Sequence, residues 1–169
     1  VFEYNEIGTD GGAIRFFSSQ PLTVYNSRFN GNKATNFGGA IYADGQGKSE
    51  VVYNISDCQF QNCEAKEGTF IYSKSYLLKL FYSTFEQNAK NDYIYIEMGK
   101  NKPDIDNCQF ISNAGSMHLK ITEGFTITNS LFSHTVDSGF LNTKELEKNS
   151  PCNFENVTFE FSEGYSALD

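Results

Sequence analysis

Ser133, His134 and Asp137 bring a hydroxyl, an imidazole and a carboxylate within five residues, the side-chain types of a nucleophilic triad. Adjacency in sequence does not supply the geometry, because the base must sit between hydroxyl and acid in space. Asp104 and Asp106 are the best-placed pair of acids for sugar cleavage, which needs two convergent carboxylates. Cys58 and Cys63 could close a small loop, but Cys-x4-Cys without further Cys or His partners is a poor zinc pattern. Asn54-Ile-Ser56 and Asn156-Val-Thr158 are acceptor sequons for N-glycosylation if the chain is secreted by a eukaryote. No glycine-rich loop follows a strand to open a helix, so nothing in the sequence cradles a phosphate.

What these groups can do depends on the elements that hold them, and the chain is a set of repeats. Phe2, Phe29, Phe60, Phe85, Phe110, Phe132 and Phe159 recur at spacings of 27, 31, 25, 25, 22 and 27 residues. Phe2, Phe29, Phe85 and Phe110 are each followed three positions later by Asn: Asn5, Asn32, Asn88 and Asn113. From Phe29 onward the fifth residue back is apolar in every copy: Val24, Ile55, Leu80, Ile105, Ile127 and Phe154. The seventh back is mostly apolar (Leu22, Tyr53, Leu78, Phe125), so the two share a face only in a strand, where side chains alternate. The third back is Asn26, Asp57, Tyr82, Asn107, Asn129 and Asn156, which breaks the alternation and marks a bend. The second back is small in most copies (Ser27, Cys58, Ser83, Cys108, Ser130, Val157) and pairs with the Phe as the inward face of a second strand. A third strand starts at Gly11-Gly-Ala-Ile14 and Gly38-Gly-Ala-Ile41. It blurs into Gly68-Thr-Phe-Ile71, Tyr93-Ile-Tyr-Ile96, Ser116-Met-His-Leu119 and Gly139-Phe-Leu141.

Three strands per coil, each pairing with its equivalent in the next coil, define an all-β, right-handed parallel β-helix, a solenoid of about seven rungs with three short strands per rung. Residues 1–169 read as one β-helix domain without its own caps, a fragment or an assembling unit. The paired GGAI and FxxN motifs resemble the polymorphic outer-membrane protein repeats of chlamydiae, which also occur in large surface proteins of protists. That resemblance implies a pectin-lyase-like β-helix with surface or adhesive duty.

Within a β-helix the seven Phe residues should stack as an internal column, with the Asn residues forming a polar ladder beside it. The outward positions six and four back from each Phe read Thr23/Tyr25, Asn54/Ser56, Lys79/Phe81, Asp104/Asp106, Thr126/Thr128 and Asn153/Glu155. Acids therefore do not align on adjacent rungs, and Asp104 and Asp106 are expected to be solvated surface charge. Cys58 and Cys108 stand two coils apart, roughly 9.6 Å, beyond the reach of a disulfide. Cys58 with Cys63 is the pairing left to consider, and Cys108 is expected as a buried thiol in place of Ser. Asn54 is expected to carry glycan before Asn156.

The net charge of −8 repels phosphate backbones and anionic lipid, so nucleic acid is not an expected partner. No apolar run approaches the roughly 20 residues that span a bilayer, so membrane insertion is not expected either. The sequence thus predicts a non-catalytic structural or adhesive protein, extracellular or on the cell surface, with no cofactor and no metal. Its partners would be neighbouring rungs, copies of itself stacked end to end in a fibre or surface layer, or glycans. The alternative is a carbohydrate-binding or carbohydrate-active β-helix of the lyase or glycosidase kind.

Overall fold

The computed structural model of the chain describes residues 1–48, 51–74, 77–87, 91–97, 102–134, 139–143, 146 and 150–161, and of His134 and Phe161 the backbone alone. Three parallel sheets run along one axis. The leading sheet is built from Leu22–Tyr25, Val52–Ser56, Leu77–Phe81, Asp104–Asp106, Phe125–Thr128 and Cys152–Glu155. The phenylalanine sheet holds Phe2–Glu3, Arg28–Asn30, Gln59–Gln61, Thr84–Glu86, Gln109–Asn113, Leu131–His134 and Thr158–Phe161. The isoleucine sheet holds Ile14–Phe17, Ile41–Asp44, Ile71–Lys74, Ile94–Glu97, Met117–Lys120 and Leu141–Asn142. Seven phenylalanine strands bound about six turns, so the expected three-strand rung is the one observed. The first two rungs add a short pair, Glu6–Ile7 with Lys33–Ala34.

The corners explain why the chain turns where it does. Asn26, Asp57, Tyr82, Asn107, Asn129 and Asn156, between the leading and phenylalanine strands, all take a left-handed backbone with φ between 47 and 53°. Asn and Asp tolerate that region better than other L-residues because their short polar side chains bond locally. A second left-handed corner follows the Phe by two residues, at Tyr4, Gly31, Asn62, Gln87 and Ser112. The two glycines of Gly38-Gly39 divide their work. Gly38 has φ 64°, whereas a Cβ on Gly39 would fall on the carbonyl oxygen of Thr69 in the next rung.

Phe2, Phe29, Phe60, Phe85, Phe110, Phe132 and Phe159 occupy one register column. Their centroids follow one another at 4.8, 4.7, 4.8, 5.0, 4.5 and 5.2 Å, and the angle between planes opens from 3° to 22° along the rod. Burying each ring contributes about 1.5–3 kcal/mol by area, and each ring pair adds about 0.5–1.5 kcal/mol. Ile55, Leu80, Ile105 and Ile127 of the leading sheet and Ile41, Ile71, Ile94 and Met117 of the isoleucine sheet close the core around them, all at 0% exposure.

One register differs from the sequence reading. Ile71 pairs with Ile94, and Ile94 with Met117, so the third strand begins two residues earlier than the alignment on Ile96 and Leu119 had placed it. A shift of two leaves the inward face unchanged, which is why hydrophobic alternation alone does not detect it.

Candidate functional site

The interior polar ladder comes first, because it decides which polar groups remain available outside. Asn32 and Asn113 are fully buried. Each turns its Nδ2 inward and donates to the carbonyl of the Phe one rung back, Asn32 to Phe2 at 3.0 Å and Asn113 to Phe85 at 2.9 Å. Asn5 is exposed, and it donates from both its backbone N and its Nδ2 to Asn32 Oδ1, at 3.1 and 2.8 Å. Asn88 lies outside the described residues. Cys63 stands in the Asn position of its rung, with its Sγ 4.0 Å from the Phe29 carbonyl.

Cys58 and Cys63 are both buried free thiols, not a disulfide. The reason is geometric: Gln59–Gln61 is extended between them, and at about 3.3 Å per residue it holds the two well beyond the roughly 7 Å that a disulfide spans. The column two residues before each Phe is instead a ladder of hydroxyls and thiols. Cys58, Ser83, Cys108 and Ser130 each donate to the carbonyl two residues back, at 3.2, 2.9, 3.4 and 2.7 Å. Ser83 and Ser130 Oγ also accept the backbone N–H of Cys58 and Cys108 one rung earlier. Burial pushes the Cys63 and Cys108 thiols up, to about 11 and about 12, and raises Cys58 as well.

Outward rows follow the register that the sequence implied. Asp104 is flanked by Lys79 and Thr126, and Asp106 by Phe81 and Thr128, so neither meets an acid on an adjacent rung. Asp106 is the hub of the corner. Its Oδ1 accepts from Thr128 Oγ1 at 2.6 Å and Asn129 Nδ2 at 2.8 Å, and its Oδ2 accepts from Asn107 Nδ2 at 2.7 Å. Those donors, Thr128 foremost, hold its carboxyl below the ordinary Asp range. Asn156 Nδ2 extends the chain by donating to Asn129 Oδ1 at 3.1 Å. Beside this corner runs a groove of about 390 Å³ lined by Asn107, Gln109, Asn129, Leu131, Asn156 and Thr158. Of the two sequons, Asn156 is exposed, whereas Asn54 points outward but is half-buried with its Oδ1 covered and unpartnered. Exposure therefore ranks them in the opposite order to the sequence reading.

The outward face of the isoleucine sheet carries a cluster that the sequence reading missed. Tyr42, Tyr72 and Tyr95 stack along the axis at 5.6 and 4.9 Å, continue onto His118 at 4.4 Å, and are covered in part by Phe37. Tyr42 donates to Asp44 Oδ2 and Tyr72 to Glu97 Oε2, and burial with these carboxylates raises both phenols, Tyr42 to about 12. Asp92 holds His118 Nδ1 at 3.1 Å and accepts Ser116 Oγ at 2.7 Å. The serine hydroxyl thus serves the acid rather than the imidazole, and His118 Nε2 is buried without a partner. This arrangement fixes a stacked ring; it does not present an activated nucleophile. The recurring Ile-Tyr dipeptide at 41–42, 71–72 and 94–95 was the available signal. In the Ser133, His134, Asp137 set, Asp137 and the His134 side chain lie outside the described residues. Among the described residues no cluster of His, Cys, Asp and Glu could hold a metal ion.

With that geometry in place, comparison with known proteins gives two family matches. Residues 39–167 match the right handed beta helix region, and residues 26–44 match the Chlamydia polymorphic membrane protein repeat. The shorter match contains both Phe29-Asn-Gly-Asn32 and Gly38-Gly-Ala-Ile41. No curated protein and no solved structure matches the chain. The repeat match spans 19 residues and is a likeness to a membrane-protein family of Chlamydia, whereas the β-helix match spans most of the chain. With most of its length matched and the solenoid complete in every described rung, the chain belongs to the right-handed β-helix family.

Proposed function

We propose that the chain is a non-catalytic structural or adhesive element of a cell-surface protein, a rigid rod that carries its outward rows to a partner. Along the axis its neighbours are further rungs or copies of itself, and across its flank they are glycans or other surface molecules. The observation that carries this reading is the unbroken column of seven stacked Phe rings. It commits every rung to stiffness along one axis and leaves the outer positions free to vary. Support for a non-catalytic role comes from the register that separates Asp104 and Asp106 from other acids along their rows.

Beads coated with the chain, brought against cultured cells and against immobilised cell-surface extract, test the proposal. Adhesion well above albumin-coated beads, with electron micrographs showing rods or filaments, is expected. Release of reducing sugar ends from a polysaccharide panel, without adhesion, would overturn it.

A further inference from the structure

Tyr82 breaks the pattern of its own column. Asn26, Asp57, Asn107, Asn129 and Asn156 occupy the equivalent left-handed corners, yet Tyr82 sits there at φ 50° with 61% of its surface exposed. A bulky side chain in this region is a strained outlier, and its ring gains little burial in return. Beyond Tyr82 the same column continues as Asn107, Asn129 and Asn156, one per rung at about 4.8 Å, along the groove whose other wall includes Gln109 and Thr158. The corner carboxamides are already oriented, because Asn156 bonds Asn129 and both Asn129 and Asn107 bond Asp106. Each amide spends one N–H on this chain and keeps the other to offer.

We propose that this corner binds a neutral oligosaccharide lying parallel to the rod axis, with one sugar ring stacked on Tyr82 and the next ones bonded by Asn107, Gln109, Asn129, Asn156 and Thr158. This deepens the adhesive reading and rests on it. Aromatic face and fixed amides suit the two sides of a pyranose, its C–H patch and its hydroxyls. One monosaccharide of an extended glycan advances about as far as one rung. Charge selects the class. Among the described residues the groove wall holds no cation, and Asp106 and the exposed Glu155 beside it repel anionic sugars and phosphates. A protein partner would need a wider apolar anchor than Leu131, the one aliphatic side chain among the described groove residues, and the Tyr82 ring supply.

The test is calorimetric titration of the full chain with chitohexaose, cellohexaose, mannohexaose and maltohexaose, repeated with Tyr82→Asn and Gln109→Leu. At least one of the four sugars should bind wild type, and Tyr82→Asn should weaken it by about tenfold or more. The same variant should melt at or above the wild-type temperature, since Asn suits the corner better; this separates lost contact from lost fold. Gln109→Leu should weaken binding too, by a smaller factor. Binding by none of the four sugars, or binding that Tyr82→Asn leaves intact, overturns the proposal. Bead adhesion that persists on deglycosylated protein surfaces, with no sugar bound, overturns the glycan site while sparing the adhesive reading.

Discussion

The inside and the outside of the rod obey different rules. Inward columns repeat one chemistry from rung to rung: Phe on Phe, hydroxyl or thiol on hydroxyl, Asn donating to the preceding Phe carbonyl. Most outward rows change from rung to rung, as in Thr23, Asn54, Lys79, Asp104, Thr126 and Asn153, and the Tyr42, Tyr72, Tyr95 row and the corner Asn column are the exceptions. Uniformity inside lets each rung template the next, so stability accumulates along the axis. Variety outside means that whatever the protein recognises is written there.

The sharpest way to break this comparison is to cut the column in the middle. Phe85→Ala removes a fully buried ring stacked on both sides, and thermal or urea unfolding should register a loss of about 3–5 kcal/mol. Asn113→Ala strips the Phe85 carbonyl of a buried donor and should cost about 1–3 kcal/mol by the same measurement. The outward Asp104→Asn should fall within about 0.5 kcal/mol of wild type. If Asp104→Asn cost as much as Phe85→Ala, the division between a stabilising interior and a variable exterior would collapse.

Two further measurements sharpen it. Among the cysteines only Cys152 is exposed, so native protein should take up one equivalent of a thiol reagent and unfolded protein four. Uptake of two on unfolding without reductant would instead restore the Cys58 to Cys63 disulfide. The smallest effect is pH-dependent. Asp106 has a folded pKa below its unfolded one, so its stabilising share is present above the unfolded value and is lost as pH falls through the folded value. Asp106→Asn should therefore lower stability slightly at neutral pH, where that share is present, and converge on wild type as pH falls through the folded value, which flattens that part of the acid limb.

Much of this was legible in the sequence, for a physical reason. A column that must match itself every rung forces the same residue type to recur, so the Phe column and the corner Asn column could be read by subtraction. The third strand was harder. Where Gly-Gly-Ala-Ile decays, period-two alternation admits a slip of two residues, and Ile96 was aligned where Ile94 belongs. Cys58 and Cys63 misled because nearness in sequence suggested a loop, whereas the chain between them is extended. The cluster of Asp92, Ser116 and His118 joins side chains 24 and 26 residues apart and becomes visible only once the register is known. The stacked tyrosines left a recurring dipeptide as a trace; the charge network at the corner left none.

The spacing between successive Phe rings along the sequence runs from 22 to 31 residues, while the rings themselves stay between 4.5 and 5.2 Å apart. Length differences are thus discharged sideways into the connections and do not accumulate along the axis. A gene built this way can gain or lose a whole coil, or swell a single connection, without disturbing the coils on either side. Rod length and surface decoration then become separately adjustable traits, open to recombination between repeats.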